Sequence, residues 1–179
     1  MENTIISLLG FMGCGKSSVG SALAELLGAG FTDLDVLVEE REGKSIPEIF
    51  AGGEEAFREA ELAALRSFLD SCPGAGRGLQ VLSLGGGTVT RPEAAELVFS
   101  RTVGVYLDTS LEELKRRVDP RAGSRPLFSS ADVLYEKRRP IYERAPFRVI
   151  TDGLGIGQVA EKVRDILSSS LQDPALSRT

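Results

Sequence analysis

The chain predicts an α/β fold, a parallel sheet covered by helices on both faces, with ligands taken at the carboxyl ends of the strands. Three observations carry that expectation. Apolar strand-like runs alternate with amphipathic helix-like segments along the chain. Gly10-Phe11-Met12-Gly13-Cys14-Gly15-Lys16-Ser17 fits G-x-x-x-x-G-K-[ST], the phosphate-binding P-loop, and stands between a strand-like run and a helix-like one. Three suggestive clusters, Gly10 to Ser17, Asp33 with Asp35, and Gly85 to Gly87, all fall where a predicted strand ends. Their coincidence points to one active site.

Thr4 to Leu9 is an uninterrupted apolar run, as a strand buried on both faces requires. Lys16 to Leu27 has helical spacing, with Val19, Leu23, Leu26 and Leu27 on one face, and Gly28-Ala29-Gly30 stops it. Phe31 to Asp35 reads as a short second strand ending in acids. Ser45 caps a short helix through Phe50, with Pro47 in its first turn. Glu54 to Leu69 is a long amphipathic helix whose stripe is Phe57, Leu62, Leu65 and Leu69. Asp70 to Gly78 connects it to an apolar strand, Leu79 to Leu84. Pro92 to Phe99 is helical, Thr102 to Leu107 is a buried strand, and Ser110 caps a helix reaching about Val118. Asp119 to Ser130 lacks periodicity and holds Pro120, Gly123 and Pro126, so a mobile surface loop is expected there. Asp132 to Ala145 reads as a helix interrupted at Pro140, Arg148 to Thr151 as a last strand, and Gly157 to Ser169 as a closing helix. The expected organisation is one domain over residues 1–170 and a polar tail over 171–179.

Composition narrows the chemistry. The 179 residues are 42% hydrophobic and 26% charged, which suits a globular domain with a full core. No apolar run is long enough to span a membrane, and Met-Glu-Asn-Thr runs straight into the first strand without a secretory leader, so a cytoplasmic location is expected. A net charge of −5 argues against non-specific nucleic-acid binding. The absence of histidine removes the commonest general base, leaving a carboxylate as the expected proton acceptor. Two cysteines, Cys14 and Cys72, make no disulfide framework.

The P-loop supplies the first site residues. Backbone N–H groups of Gly13, Cys14, Gly15, Lys16, Ser17 and Ser18, at a helix N-terminus, suit a phosphate chain; Lys16 reaches the outer phosphates and the Ser17 hydroxyl can ligate Mg²⁺. Arginines crowd the segment from Arg116 to Arg148, the residue type suited to bidentate phosphate and carboxylate contacts. A GTPase would need an Asn-Lys-x-Asp motif, which is absent, and a motor-type ATPase wants an apolar strand ending in Asp-Glu, where this chain has Gly85-Gly86-Gly87. A small kinase with an arginine-bearing lid fits better.

Five further motifs, in order behind the P-loop, make the chain resemble the shikimate kinase family over about Ile5 to Leu167. They are Asp33-Leu34-Asp35, Phe57-Arg58-Glu59-Ala60-Glu61, Gly85-Gly86-Gly87, Arg125-Pro126-Leu127 and Arg138-Arg139-Pro140-Ile141-Tyr142. The resemblance implies a three-layer P-loop kinase fold, with a five-stranded parallel sheet ordered 2-3-1-4-5 and a mobile lid over about residues 119–130. It implies transfer of the ATP γ-phosphate to the 3-hydroxyl of shikimate, with Mg²⁺ as cofactor, in chorismate and aromatic amino-acid biosynthesis. Carried over residue by residue, Lys16, Asp35 and Arg125 are catalytic, and Asp35 takes the proton of the attacking hydroxyl. Asp35, Arg58, Gly86 and Arg138 bind shikimate, the two arginines gripping its carboxylate. Ser17 and Asp33 hold the metal, Arg117 stacks on adenine (with Arg116 and Arg121 as alternatives), and the loop after Thr151 lines the adenine pocket. On the residues alone, Asp35 could instead cap a following helix. The stretch between Arg125 and Arg138 is shorter than is usual in that family. The expected partners are ATP and shikimate, with no nucleic acid and no membrane, for a monomer. The competing readings are another small-molecule kinase such as gluconate kinase, which would not need Arg58, Gly85 to Gly87 and Arg138 together, and a nucleotide-binding module without turnover.

Overall fold

A computed structural model describes residues 4–71, 78–117 and 131–171. Five strands, β1 (Ile5–Leu9), β2 (Gly30–Asp33), β3 (Gln80–Ser83), β4 (Val103–Asp108) and β5 (Phe147–Ile150), form one sheet in the order β2-β3-β1-β4-β5. Every pairing is parallel, with Ile6 opposite Val81 on one side and Val103 on the other. Burial follows position. β1 is buried at all five residues and β4 at five of six, whereas the edge strands β2 and β5 are mostly half-buried or exposed. A central parallel strand faces helices on both sides, which is why Ile-Ile-Ser-Leu-Leu carries no polar alternation.

The helices are α1 (Lys16–Leu27), α2 (Leu34–Glu42), α3 (Ile46–Phe50), α4 (Glu54–Ser71), α5 (Pro92–Arg101), α6 (Leu111–Arg117), α7 (Ala131–Tyr142) and α8 (Ile156–Leu171), with a short 3₁₀ turn at Thr88–Thr90. They cover both faces of the sheet; α1 packs beside α8, and α4 beside α5 and α2. Phe57, Leu62, Leu65 and Leu69 of α4 are all buried, as their spacing predicts.

Three expectations are corrected. Leu26 is 44% exposed, and the buried face of α1 runs through Val19, Gly20, Leu23 and Ala24. Gly20 belongs there because a Cβ on it would overlap the Phe31 ring. The second strand stops at Asp33, and the residues that follow are helical. Asp33 Oδ1 accepts from the Asp35 N–H at 3.0 Å and so caps α2, whose Leu34 and Val38 are buried one turn apart. Helix α7 also runs through Pro140 without a break. The proline falls in its last turn, where the N–H it lacks would serve only one bond. Finally, the sequence offered no sign of the 3₁₀ turn at Thr88–Thr90.

The expected lid, about residues 119–130 with Arg121 and Arg125, lies outside the described residues, as do Cys72 and residues 172–179.

Candidate active site

The loop between β1 and α1 has Gly10, Gly13 and Gly15 at φ of 149°, 81° and 95°. At Gly10 the requirement is also spatial, since a Cβ would lie 2.8 Å from both the Leu107 carbonyl oxygen and Cys14 Sγ. The thiol of Cys14 is thus buried beneath the loop, a packing position. Lys16 is buried, and its Nζ donates to the carbonyls of Gly10 at 2.9 Å and Phe11 at 3.1 Å. The ammonium is therefore held under the loop by backbone acceptors. Ser17 Oγ donates to Asp33 Oδ2 at 2.5 Å, and the buried Ser83 hydroxyl lies 3.5 Å away. Ser18 is exposed in the first turn of α1.

One cleft is lined by Met12, Gly13, Gly15, Lys16, Ser17, Ser18, Asp35, Leu84 and Gly86. The P-loop, the acid after β2 and the glycines after β3 thus share one cavity at the carboxyl end of the sheet. Asp35 is reached by solvent yet crowded. Its carboxyl is pushed above the ordinary value of 3.8 by burial first, then by the negative charges of Asp33 and Glu61, with Lys16 and Arg58 pulling the other way.

The glycines after β3 are where the two candidate arginines meet the site. Arg58 Nη1 bonds Glu61 Oε2 at 2.7 Å and its Nη2 lies 3.5 Å from Glu54. A side chain on Gly87 would collide with this guanidinium. Arg138 Nη1 donates to the Gly86 carbonyl at 3.2 Å. Its Nε is buried and is the one such side-chain atom among the described residues with no hydrogen-bond partner. Behind Arg58, Glu61 is only 2% exposed and accepts from the Thr88 hydroxyl at 2.5 Å. A Cβ on Gly85 would sit 2.6 Å from Glu61 Oε1 and 2.9 Å from Asp35 Oδ1, so the glycine lets these two acids close on it.

On the other side of the P-loop, Arg117 uses three donors. Nε bonds Glu113 Oε1 at 2.8 Å, Nη1 the Cys14 carbonyl at 3.3 Å and Nη2 the Thr151 carbonyl at 3.0 Å. A guanidinium fixed through its edge keeps its planar faces for stacking. Arg116 instead points outward, 66% exposed and paired with Glu113 and Glu112.

The described candidates therefore divide between the cleft (Gly13, Gly15, Lys16, Ser17, Ser18, Asp35 and Gly86), its floor (Asp33 and Cys14) and its margins (Arg58, Arg117 and Arg138). Sequence reading missed Thr88, Glu113 and Tyr142, whose hydroxyl donates to the Gly86 carbonyl. The available signal was the i,i+4 spacing of Arg138 and Tyr142 on one helix face. Glu61 was legible as the last residue of the Phe57-Arg58-Glu59-Ala60-Glu61 motif and as a possible partner of Arg58, three residues away.

Comparison with known proteins agrees with this geometry. The family model described as shikimate kinase matches residues 12–168. A shikimate kinase of Thermus thermophilus is 41% identical over 167 residues, covering 89% of this chain and 88% of the relative. One from Synechococcus sp. strain RCC307 is 37% identical over 187 residues, covering 100% of this chain and 92% of the relative. Among solved structures, shikimate kinase from Acinetobacter baumannii in complex with shikimate superposes with a TM-score of 0.85 at 32% identity, covering 95% of this chain and 96% of that one. On the strength of the family match and these identities, the chain belongs to the shikimate kinase family.

Proposed function

We propose that this protein transfers the γ-phosphoryl group of ATP to the 3-hydroxyl of shikimate, giving shikimate 3-phosphate and ADP. The observation that carries this reading is the shared cleft: a P-loop, a carboxylate with a raised pKa, and a glycine turn gripped by an arginine with a donor still unpaired. Arg138 uses Nη1 on the Gly86 carbonyl, which leaves the Nε edge buried and unsatisfied. A planar carboxylate is the partner that edge fits, and shikimate carries one. Arg58, held from behind by Glu61, supplies the second fork.

In this mechanism the P-loop N–H groups and Lys16 cradle the β- and γ-phosphates. Arg117 stacks on adenine. Ser17 and Asp33, joined by a hydrogen bond, offer the hard oxygen donors that would hold a magnesium ion, which when bound would supply positive charge beside the phosphates. Asp35 accepts the proton of the 3-hydroxyl as its oxygen bonds to the γ-phosphorus and the bond to the β-phosphate oxygen breaks. Arg125 stabilises charge on the group in transfer. We assign the chain a single kinase domain over residues 1–170 that acts as a monomer. No described helix is long and apolar enough to cross a membrane, and we assign the enzyme to the cytoplasm.

ADP release from ATP with shikimate, with gluconate and with no acceptor tests the reading. Turnover with shikimate alone is expected; turnover with gluconate, or none with either acid, would overturn it. Arg58→Lys should raise the shikimate KM about tenfold or more, the worth of one hydrogen bond to a charged group, because an ammonium cannot copy the fork. The ATP KM should change by less than about twofold, since Arg58 makes no contact to nucleotide in this scheme. Equal rises in both constants would reassign Arg58 to a structural ion pair with Glu61.

A further inference from the structure

Tyr142 lies four residues beyond Arg138 on α7, and both side chains end on one atom, the carbonyl oxygen of Gly86. The phenol is 1% exposed, and its ring lies 5.5 Å from that of Tyr106 at an interplanar angle of 32°. Gly86 lies close against the P-loop, where a Cβ on it would be 3.1 Å from the Met12 backbone nitrogen. A carbonyl oxygen offers two lone pairs. With one lone pair taken by the phenol, the Arg138 Nη1 is confined to the other, and the guanidinium loses the freedom to swing about its acceptor. Burial raises the Tyr142 pKa, so the hydroxyl remains a donor at every working pH.

We propose that Tyr142 is a positioning residue for acceptor binding, which fixes through the Gly86 carbonyl the orientation of the Arg138 guanidinium, with its unpaired Nε, at the margin of the cleft. The proposal rests on the shikimate reading for its ligand but not for its geometry. A purely structural tyrosine would stabilise α7 against β4 and affect nucleotide and acceptor alike. A positioning tyrosine affects the acceptor alone, and only while Arg138 is present.

Tyr142→Phe keeps the ring and its packing and removes one hydrogen bond. It should raise the shikimate KM roughly fivefold, the usual worth of one such bond, with kcat and the ATP KM within about twofold of wild type. In an Arg138→Lys background the same change should have no further effect on the shikimate KM, since groups acting through one another are not additive. An unchanged shikimate KM, an equal rise in the ATP KM, or an undiminished penalty beside Arg138→Lys would each overturn the proposal. NMR of the ligand-free protein supplies a readout independent of substrate: the Arg138 Nε–H resonance should shift in Tyr142→Phe, and an unmoved resonance would equally overturn it. If wild-type protein fails to phosphorylate shikimate while that resonance shifts, the substrate reading falls and the positioning role stands.

Discussion

Asp35→Asn should lower kcat by a factor on the order of 10²–10⁴, the range lost with a general base, with ATP affinity nearly unchanged. Asparagine keeps the size of the side chain and part of its hydrogen bonding but cannot take a proton. The chain has no histidine to stand in, and the carboxyl lies in the cleft with Lys16 and Gly86. Its surroundings add a pH signature. Burial, Asp33 and Glu61 raise the Asp35 pKa above 3.8. The base works ionised, so kcat/KM should fall as pH drops through that raised value, and the Asp35→Asn variant should lose this limb. The sign for stability is opposite. A carboxyl whose pKa is higher folded than unfolded costs stability once pH exceeds both values, and the cost disappears as pH falls through the folded pKa to the unfolded one. At pH 7 Asp35→Asn should therefore melt no lower than wild type. Near-wild-type turnover in the variant, measured by coupled ADP release, would remove Asp35 from the mechanism.

Lys16→Met should reduce kcat/KM for ATP by about 10²–10³, comparable to removing one preorganised donor from a developing oxyanion. Methionine preserves the length and the burial of the stem. It removes the charge that faces the phosphates and the donors that hold the Gly10 and Phe11 carbonyls. The loop is expected to lose rigidity too, so a lower Tm should accompany the kinetic loss. Shikimate binding, measured by calorimetry without nucleotide, should persist, because the proposed carboxylate contacts lie on Arg58 and Arg138. Loss of shikimate binding together with ATP binding would mean that the loop organises the whole cleft rather than the phosphate end.

The sheet was readable because its central strands, β1 and β4, are apolar runs that end at a glycine or an acid, and the order 2-3-1-4-5 came with the family resemblance. The failures concern residues whose roles are set by partners that hydrophobic periodicity does not reveal. Leu34 to Glu42 carries five charged residues in nine and little periodicity; it is helical because Asp33 caps it and Leu34 and Val38 bury against the molecule. Glu61 sits within the apolar stripe of α4; Arg58 pairs with it one turn away on the same helix, but only the chain fold brings the Thr88 hydroxyl to it. Tyr142 could be placed in a motif but not given a task, since its acceptor, Gly86, is fifty-six positions away. By contrast Lys16, Ser17, Asp35 and Gly86 were recognisable because local motifs put them at strand ends, and parallel strands deliver such ends to one edge. Arg125 lies outside the described residues and stands on the Arg-Pro-Leu motif alone.

The measurement that bears most directly on the central claim is a crystal structure of this protein with shikimate bound. The account predicts the carboxylate on the Nε edge of Arg138 and on Arg58, and the 3-hydroxyl within about 2.6–3.2 Å of the Asp35 carboxylate, the reach of a general base. Shikimate bound with its carboxylate toward Lys16, or with its 3-hydroxyl beyond reach of Asp35, would contradict it.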